Sequence, residues 1–560
     1  MGKNRWEQEA ERFRQDCERA RDLSLENLRK LMRDNQDTEY GRAHHFAEVE
    51  TAEDYRRLVP VTDYSDYEGY VERMRAGEQN LLTVYPPRHF VTTSGSAGKQ
   101  KWIPLSDEAL SRALVPLWYA CHGRTPGIGK GRHLMMSVFR TETGGPEPET
   151  LLSVALYRAL YERWTNDLER SILGGEKLLF SREIGDVPYT KLWIALSSPD
   201  MAGIQSIFLY DALLFFRYFE ENWESVLKDM ESRRIPDEIA IGERERRALL
   251  ALPVPPEEWS EKVRRECKAG FTGIVKRLWE SFQWISGIGD SAFAAQEAVL
   301  RDYLGDVPIH YFSYTASECF IAVAMEPEMR EYVLIPRAGY FEFLPLEEGE
   351  TRARTIGELT VGEEYEIVVT NFSGLYRYRL GDVVRVTGFC GESPVLTVCY
   401  RKNQALNVAG EKIDMRTVAR AVEQFSERTG LRVLEYSVCD DRTLLPGRYL
   451  CFLEVSDEPR KAAGIERSAD RGRTVDDEVS ASKRILAGYS ELLDEILRDL
   501  SDDYRDLREL GMIGDPQVLL VEQGAHQSCR KRFQKRLAHS KPLQYLSDPE
   551  AIAYMKKRIL

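Results

Sequence analysis

Thr92-Thr93-Ser94-Gly95-Ser96-Ala97-Gly98-Lys99-Gln100-Lys101 is the stretch on which the reading of this chain turns. Residues 88–93 ahead of it have a strand pattern, residues 102–105 behind it have another, and Ser106 is placed to cap a following helix. Small hydroxyl residues and glycines between two strands let backbone N–H groups converge on phosphate oxygens, and Lys101 can add a full positive charge. It is not a Walker loop, because Gln100 follows Gly98-Lys99 where Ser or Thr is required. Read alone, the stretch is equally a flexible Ser/Gly hairpin loop.

Three further segments shift that balance. Tyr311-Phe312-Ser313-Tyr314-Thr315-Ala316-Ser317-Glu318 follows an apolar strand pattern and ends in a carboxylate, the ligand type a magnesium ion bridging phosphates requires. A strand-end glutamate is more often simply solvated. Gly374-Leu375-Tyr376-Arg377-Tyr378-Arg379-Leu380-Gly381-Asp382 sets an aspartate behind a glycine turn, suited to accepting hydrogen bonds from a pair of ribose hydroxyls. Its commoner role is that of a turn residue. Residues 400–414 combine basic side chains, an alternating strand pattern and a glycine turn at a change of architecture.

Working outward, apolar segments at residues 133–139, 283–288 and 308–312 alternate with helical patterns at 207–227 and 293–303. That alternation predicts α/β layers around a largely parallel sheet. Residues 6–32 read as one amphipathic helix and 52–58 as another. Between residues 319 and 399 the helical signal gives way to short strands at 332–335, 340–344, 364–370 and 382–386, which predicts a distorted antiparallel sheet or β-barrel. A helix at 417–429, strands at 433–439 and 449–455 and a long helix at 478–500 predict a smaller α+β domain, with 457–477 as a surface loop or insertion. The expected division is residues 1–400 for a large domain and 401–560 for a small one.

The 560 residues exceed one compact core and call for at least two domains. At 43% hydrophobic and 30% charged the composition is that of a globular protein. A formal net charge of -14 argues against a nucleic-acid-coating or anionic-membrane surface. Nine scattered cysteines without a CxxC pair point away from a disulfide framework and from zinc. The first residues pass directly into a charged helical pattern, and no apolar run is long enough to span a membrane, so a cytoplasmic protein is expected.

In order and spacing the four segments resemble the adenylate-forming superfamily of acyl-CoA synthetases, adenylation domains and luciferases. Residues 93–104, Tyr314-Thr315-Ala316-Ser317-Glu318 and Tyr376-Arg377-Tyr378-Arg379-Leu380-Gly381-Asp382-Val383-Val384 are most similar to one branch, the auxin-responsive promoter (Gretchen Hagen 3) family of acyl acid amido synthetases. Thr38-Glu39-Tyr40-Gly41-Arg42 and Val59-Pro60-Val61-Thr62-Asp63-Tyr64 extend the resemblance toward the N-terminus. It implies a large ATP- and acyl-acid-binding domain and a mobile C-terminal lid. ATP and Mg2+ are the implied cofactors, with a small carboxylic acid and an amine, such as an amino acid, as substrates. It further implies that Ser94, Gly95, Ser96, Gly98 and Lys101 contact ATP phosphates and that Glu318 binds the metal. Tyr314 and Thr315 would line the adenine and acyl-carboxylate region. Asp382 and Arg401 would hold the ribose, and Lys402 would be the hinge.

The lid lysine of the superfamily is matched by Lys541, with Lys535 as its rival, because Leu543 and Gln544 follow Pro542 where an arginine is usual. Ser286-Gly287-Ile288-Gly289-Asp290-Ser291 stands where the family has a Gly-Gly-rich adenine loop. Asp290 can bind the adenine amino group or cap the next helix. The implied activity is adenylation of an acid followed by amide formation, by a monomer or weak homodimer that binds neither nucleic acid nor membrane. Thioester formation with coenzyme A and a catalytically silent ligand-binding protein are the rival readings.

Overall fold

The computed structural model describes residues 5–92, 101–112, 131–139, 149–150, 152–289, 294–326, 328–346, 352–402, 405–406, 408, 413–444, 446–456, 475–509, 513–533 and 543–560. The chain forms two compact units, Met1–Ile288 with Arg301–Cys399, and Gly289–Leu300 with Tyr400–Leu560.

The first unit contains the parallel sheet that the alternating pattern predicts, in the order Arg132–Met135, Met201–Phe208, Trp284–Ile288, Ile309–His310. Each neighbouring pair is parallel. Its strands are buried along almost their whole length, as in a parallel sheet with both faces covered. The helix Leu209–Ser232 follows the second strand directly and buries Leu213, Phe216, Phe219, Trp223, Val226 and Met230, at three- and four-residue intervals. In such a sheet the carboxyl ends of the strands are where ligands bind. Here those ends lead into residues 136–139, Gly289 and the segment Tyr311–Glu318.

Where short strands led us to expect a distorted antiparallel sheet or a β-barrel, the structure has a seven-stranded sheet. Its order is Gly339–Pro345, Glu364–Asn371, Tyr378–Cys390, Ser393–Arg401, Tyr332–Leu334, Phe320–Val323, Ser313–Thr315. Among the described residues no pairing joins the first of these strands to the last, so the order runs as one line. The strands Pro87–Thr92 and Trp102–Ser106 pair antiparallel beside Glu149–Thr150.

The N-terminal segment differs from the single helix expected. It is two helices, Arg5–Glu18 and Ala20–Asn35, which part at Arg19. Arg19 offers no side-chain cap. The carboxylate of Glu392 accepts instead from the Arg21 N–H at 3.1 Å, an anion at a helix N-terminus supplied from a distant hairpin. Residues 52–58 are helical as read, closed by a capping box of Thr51 and Asp54.

The second unit is a smaller α+β layer structure. Val433–Asp441 pairs antiparallel with Arg448–Val455, and that strand pairs parallel with Gln517–Val521. Alternate residues serve opposite faces. Tyr436, Val438, Cys451 and Leu453 pack with Val422, Phe425 and Ile496 of the helices Met415–Thr429 and Val475–Leu500. Cys439, Leu450 and Phe452 pack with Cys529 and Met555 of the helices Ala525–Phe533 and Pro549–Lys556. Residues 457–474 of the expected loop lie outside the described residues. No described helix is long and apolar enough to cross a membrane.

Candidate active site

Glu318 sits in a tight turn joining the strands Ser313–Thr315 and Phe320–Val323. The turn is closed by reciprocal backbone bonds between Ala316 and Cys319, at 3.0 and 3.2 Å. A carboxylate at a turn is ordinarily solvated, yet Glu318 is only 8% exposed. Asn371 fixes it by donating to its backbone carbonyl at 2.6 Å, and the Tyr378 hydroxyl donates to its carboxylate at 3.2 Å. Beside it lies a small cavity lined by Leu105, Glu318, Cys319, Asn371 and Ser373. A buried, oriented carboxylate on a cavity wall fits a hard cation such as magnesium.

Asp382 lies on the long strand Tyr378–Cys390, and the ladder shows how it leaves the sheet. Glu366 pairs with Val383 while Val368 pairs with Arg379, so two steps on one strand face four on the other. Extra residues of this kind bulge outward and redirect their side chains. Gly381 takes the left-handed backbone at φ 78° that the bulge requires. Asp382 then accepts a hydrogen bond from the Tyr314 hydroxyl at 2.8 Å. The second and third sequence motifs therefore meet, through Tyr314 with Asp382 and through Tyr378 with Glu318.

Lys101 comes to the same region by way of residues 62–64. Thr62 bridges to the strand of Asp382, donating its N–H to the Arg377 carbonyl at 3.0 Å and accepting from the Arg379 N–H at 2.9 Å. The next residue but one, Tyr64, accepts from the Trp102 N–H at 2.9 Å and donates to the Trp102 carbonyl at 3.2 Å. The Lys101 ammonium lies over the Tyr64 ring, 5.4 Å from its centroid. Asp63 between them has its carboxyl held below the usual range, first by hydrogen bonds from Ser65 and further by the charges of Lys101 and Arg379. Lys101 and the strand carrying Asp382 thus share one electrostatic neighbourhood.

Of the remaining sequence-derived candidates, Thr315 is half-buried and donates to the Ser313 hydroxyl at 3.2 Å. Gly289 is buried directly after the strand Trp284–Ile288, and Lys402 is exposed at a turn after the strand Ser393–Arg401. The Arg401 side chain and all of Ser94, Gly95, Ser96, Gly98, Asp290, Lys535 and Lys541 lie outside the described residues. Sequence reading assigned no role to Tyr378, Asn371 or Asp63. The Tyr-Arg-Tyr-Arg run of residues 376–379 was the available signal, since its last two residues open the strand Tyr378–Cys390, where alternate side chains face two environments. Tyr376 and Arg377 serve the core. Arg377 has a left-handed backbone at φ 47° and binds the Glu342 carboxylate at 2.8 Å and the Val59 carbonyl at 2.8 Å.

This pairing of a parallel α/β layer with a small α+β unit is the fold of the adenylate-forming enzymes. The chain aligns with 2-hydroxyisobutyryl-CoA ligase in the postadenylation state with a TM-score of 0.53 at 13% identity, over 95% of this chain and 90% of that one. Models of the GH3 family N-terminal, central and C-terminal domains match residues 9–309, 332–401 and 416–543, and the chain belongs to the GH3 family. It is 30% identical to the indole-3-acetic acid-amido synthetase GH3.8 of Oryza sativa subsp. indica over 426 residues, 72% of this chain and 70% of that protein. It is 26% identical to the jasmonoyl–L-amino acid synthetase GH3.5 of Oryza sativa subsp. japonica over 542 residues, 91% of this chain and 89% of the relative. The AtGH3.15 acyl acid amido synthetase in complex with 2,4-DB aligns with a TM-score of 0.84 at 23% identity, covering 100% of this chain and 98% of that one.

Proposed function

We propose that this protein is an ATP-dependent acyl acid amido synthetase, which adenylates a carboxylic acid and passes the acyl group to an amino acid or another amine. The observation that carries the reading is the contact of Tyr314 with Asp382, because it joins two motifs whose separate meanings were ambiguous. The names of the relatives, which are synthetases of indole-3-acetyl and jasmonoyl amides, support small aryl, indole or lipid-derived acids as the substrate class.

A carboxylate oxygen attacks the α-phosphorus of ATP, forming the acyl-phosphate bond while the bond to pyrophosphate breaks. Negative charge grows on the phosphate oxygens in that step. Lys101 opposes it, together with the backbone N–H groups of Ser94, Gly95, Ser96 and Gly98. Asp382 receives the ribose hydroxyls: an ionised carboxylate has about four acceptor directions, and the Tyr314 hydroxyl occupies one and orients the rest. Tyr314, Thr315, Gly289 and Asp290 border the adenine, and Arg401 assists at the ribose. Glu318 would hold magnesium, which supplies positive charge against the triphosphate. In the second step the amine nitrogen attacks the acyl carbon, the new C–N bond forms and AMP leaves.

In this reading residues 1–400 bind ATP and acid, residues 401–560 are a lid turning about Lys402, and Lys541, or its rival Lys535, reaches the reacting carboxylate. The protein works in the cytoplasm as a monomer or weak homodimer, without nucleic-acid or membrane partners. The test is acid-dependent pyrophosphate release with ATP and magnesium across a panel of acids, followed by product masses with mixed amino acids or coenzyme A. An amide supports the reading. A thioester replaces it with coenzyme A ligation, and no adenylate with any acid replaces it with a silent binder.

A further inference from the structure

The hairpin that joins the strands Tyr378–Cys390 and Ser393–Arg401 turns through Gly391 and Glu392, and it lies on the last turn of the first helix. Gly391 has φ 59° and Glu392 does not have a positive φ, the pattern of a turn with glycine at its first central position. A β-carbon on Gly391 would meet the Cys17 carbonyl oxygen at 2.8 Å and its carbon at 2.9 Å, so this backbone approach is open to glycine alone. The Glu392 N–H donates to the Cys17 carbonyl at 2.8 Å, and the Glu392 carboxylate caps the next helix at Arg21. This clamp sets the Cys390 side chain beside that of Cys17, close enough for the two thiols to interact. The neighbouring Cys390 thiol, with burial, pushes the Cys17 thiol well above its ordinary pKa. Cys17 is 1% exposed, whereas Cys390 is partly exposed, and neither is in a disulfide.

We propose that Cys17 and Cys390 form a redox modification site, at which a peroxide converts the thiol pair into a reversible disulfide. The exposed partner reacts first. The Cys390 thiolate attacks one peroxide oxygen, the O–O bond breaks, and hydroxide leaves to be protonated to water, giving a sulfenic acid. The Cys17 sulfur then attacks the sulfenic sulfur. The S–S bond forms as the S–O bond breaks, and the hydroxyl departs as water with the Cys17 proton. Two thiols and one hydrogen peroxide become one disulfide and two waters. The bond would fasten the first helix to the strand that carries Asp382, closing a loop of about 370 residues, the kind of constraint that most restricts an unfolded chain. The same helix already holds Arg337 through Asp16, at 2.6 Å.

The experiment uses the full-length reduced protein, exposed to graded hydrogen peroxide in the presence of dimedone, then alkylated, digested and weighed. The expected result is a linked pair of peptides containing Cys17 and Cys390, lost on treatment with dithiothreitol, with little dimedone on Cys390. In Cys17→Ser the sulfenic acid has no resolving thiol, and dimedone accumulates on Cys390. Cys17 recovered as a free alkylated thiol beside a dimedone-labelled Cys390 in the wild-type protein overturns the proposal, as does linkage of either cysteine elsewhere. The wild-type peptide map decides the matter even if the variant fails to fold.

Discussion

The two halves of the stretch 376–384 meet opposite demands, the first leading into the strand Tyr378–Cys390 and the second lying on it. In the first half Arg377 is 5% exposed, and its guanidinium is held by the Glu342 carboxylate and the carbonyls of Val59 and Arg56. Arg56 approaches the same carboxylate at 3.7 Å and binds Glu358 at 2.8 Å. In the second half the bulge at Gly381 lifts Asp382 out of the ladder toward Tyr314. The difference separates a charge that holds the fold from a charge that is available to a ligand. Burying a paired charge leaves no tolerance for losing the partner, whereas a half-buried carboxylate in a bulge can be removed without stranding anything in the core.

Arg377→Ala is expected to have the largest effect, because it leaves Glu342, whose carboxyl burial already pushes up, without its closest partner. The loss should be about 3–5 kcal/mol of unfolding free energy, read from urea midpoints. A cost below about 1 kcal/mol, the range of surface pairs, would break the distinction between the two halves.

A buried lysine sharpens the same contrast from the opposite side. Lys191 is 2% exposed, and the one hydrogen bond described for its ammonium goes to the Ser137 carbonyl at 3.1 Å. Burial without a carboxylate lowers its pKa to about 7. The unfolded chain holds that proton up to about pH 10.4, so between these values it binds more protons than the native state, and stability rises with pH. Lys191→Met should therefore be more stable than the parent by a few kcal/mol, on the order of 2–4, at pH 7. The advantage should shrink as pH climbs toward 10. An advantage that stays constant from pH 7 to pH 10 would mean that the amine is not depressed.

On the ligand side, Lys101→Ala should slow acid-dependent pyrophosphate release by about 10²-fold, some 3 kcal/mol, with an unchanged urea midpoint. A shifted midpoint with unchanged turnover would move Lys101 to the structural class. The smallest effect is expected for Tyr314→Phe, which deletes one hydrogen bond to Asp382. About 1 kcal/mol, or roughly fivefold, should appear in the KM for ATP, with kcat nearly constant.

Much of the local structure was legible from the chain alone. Thr51 and Asp54 announce the helix Ala52–Leu58, Asp414 caps Met415–Thr429 through the Thr417 N–H, and the strand-loop-strand around residue 94 has its strands where the pattern set them. These signals act within a few residues. The break at Arg19 was not legible, because neither glycine nor proline marks it and its cap comes from Glu392. Nor was the order of the seven-stranded sheet. Tyr332–Leu334 pairs with both Phe320–Val323 and Ser393–Arg401, a choice that depends on which hydrophobic faces meet and not on spacing. Glu318 was picked out as a carboxylate, but Asn371, which donates to its backbone carbonyl, carries no marker of its own.

By itself the sequence determined element types, turn chemistry and the family to which the chain belongs, because periodicity, caps and motif order are properties of neighbouring residues. Tertiary structure alone decided that Tyr314 reaches Asp382, that Lys101 lies over Tyr64 and that Cys17 meets Cys390. The physical reason is one of range. A hydrogen bond or a thiol contact forms within a few ångströms, and whether residues tens or hundreds of positions apart come that close depends on how whole strands and helices pack, which no local pattern encodes.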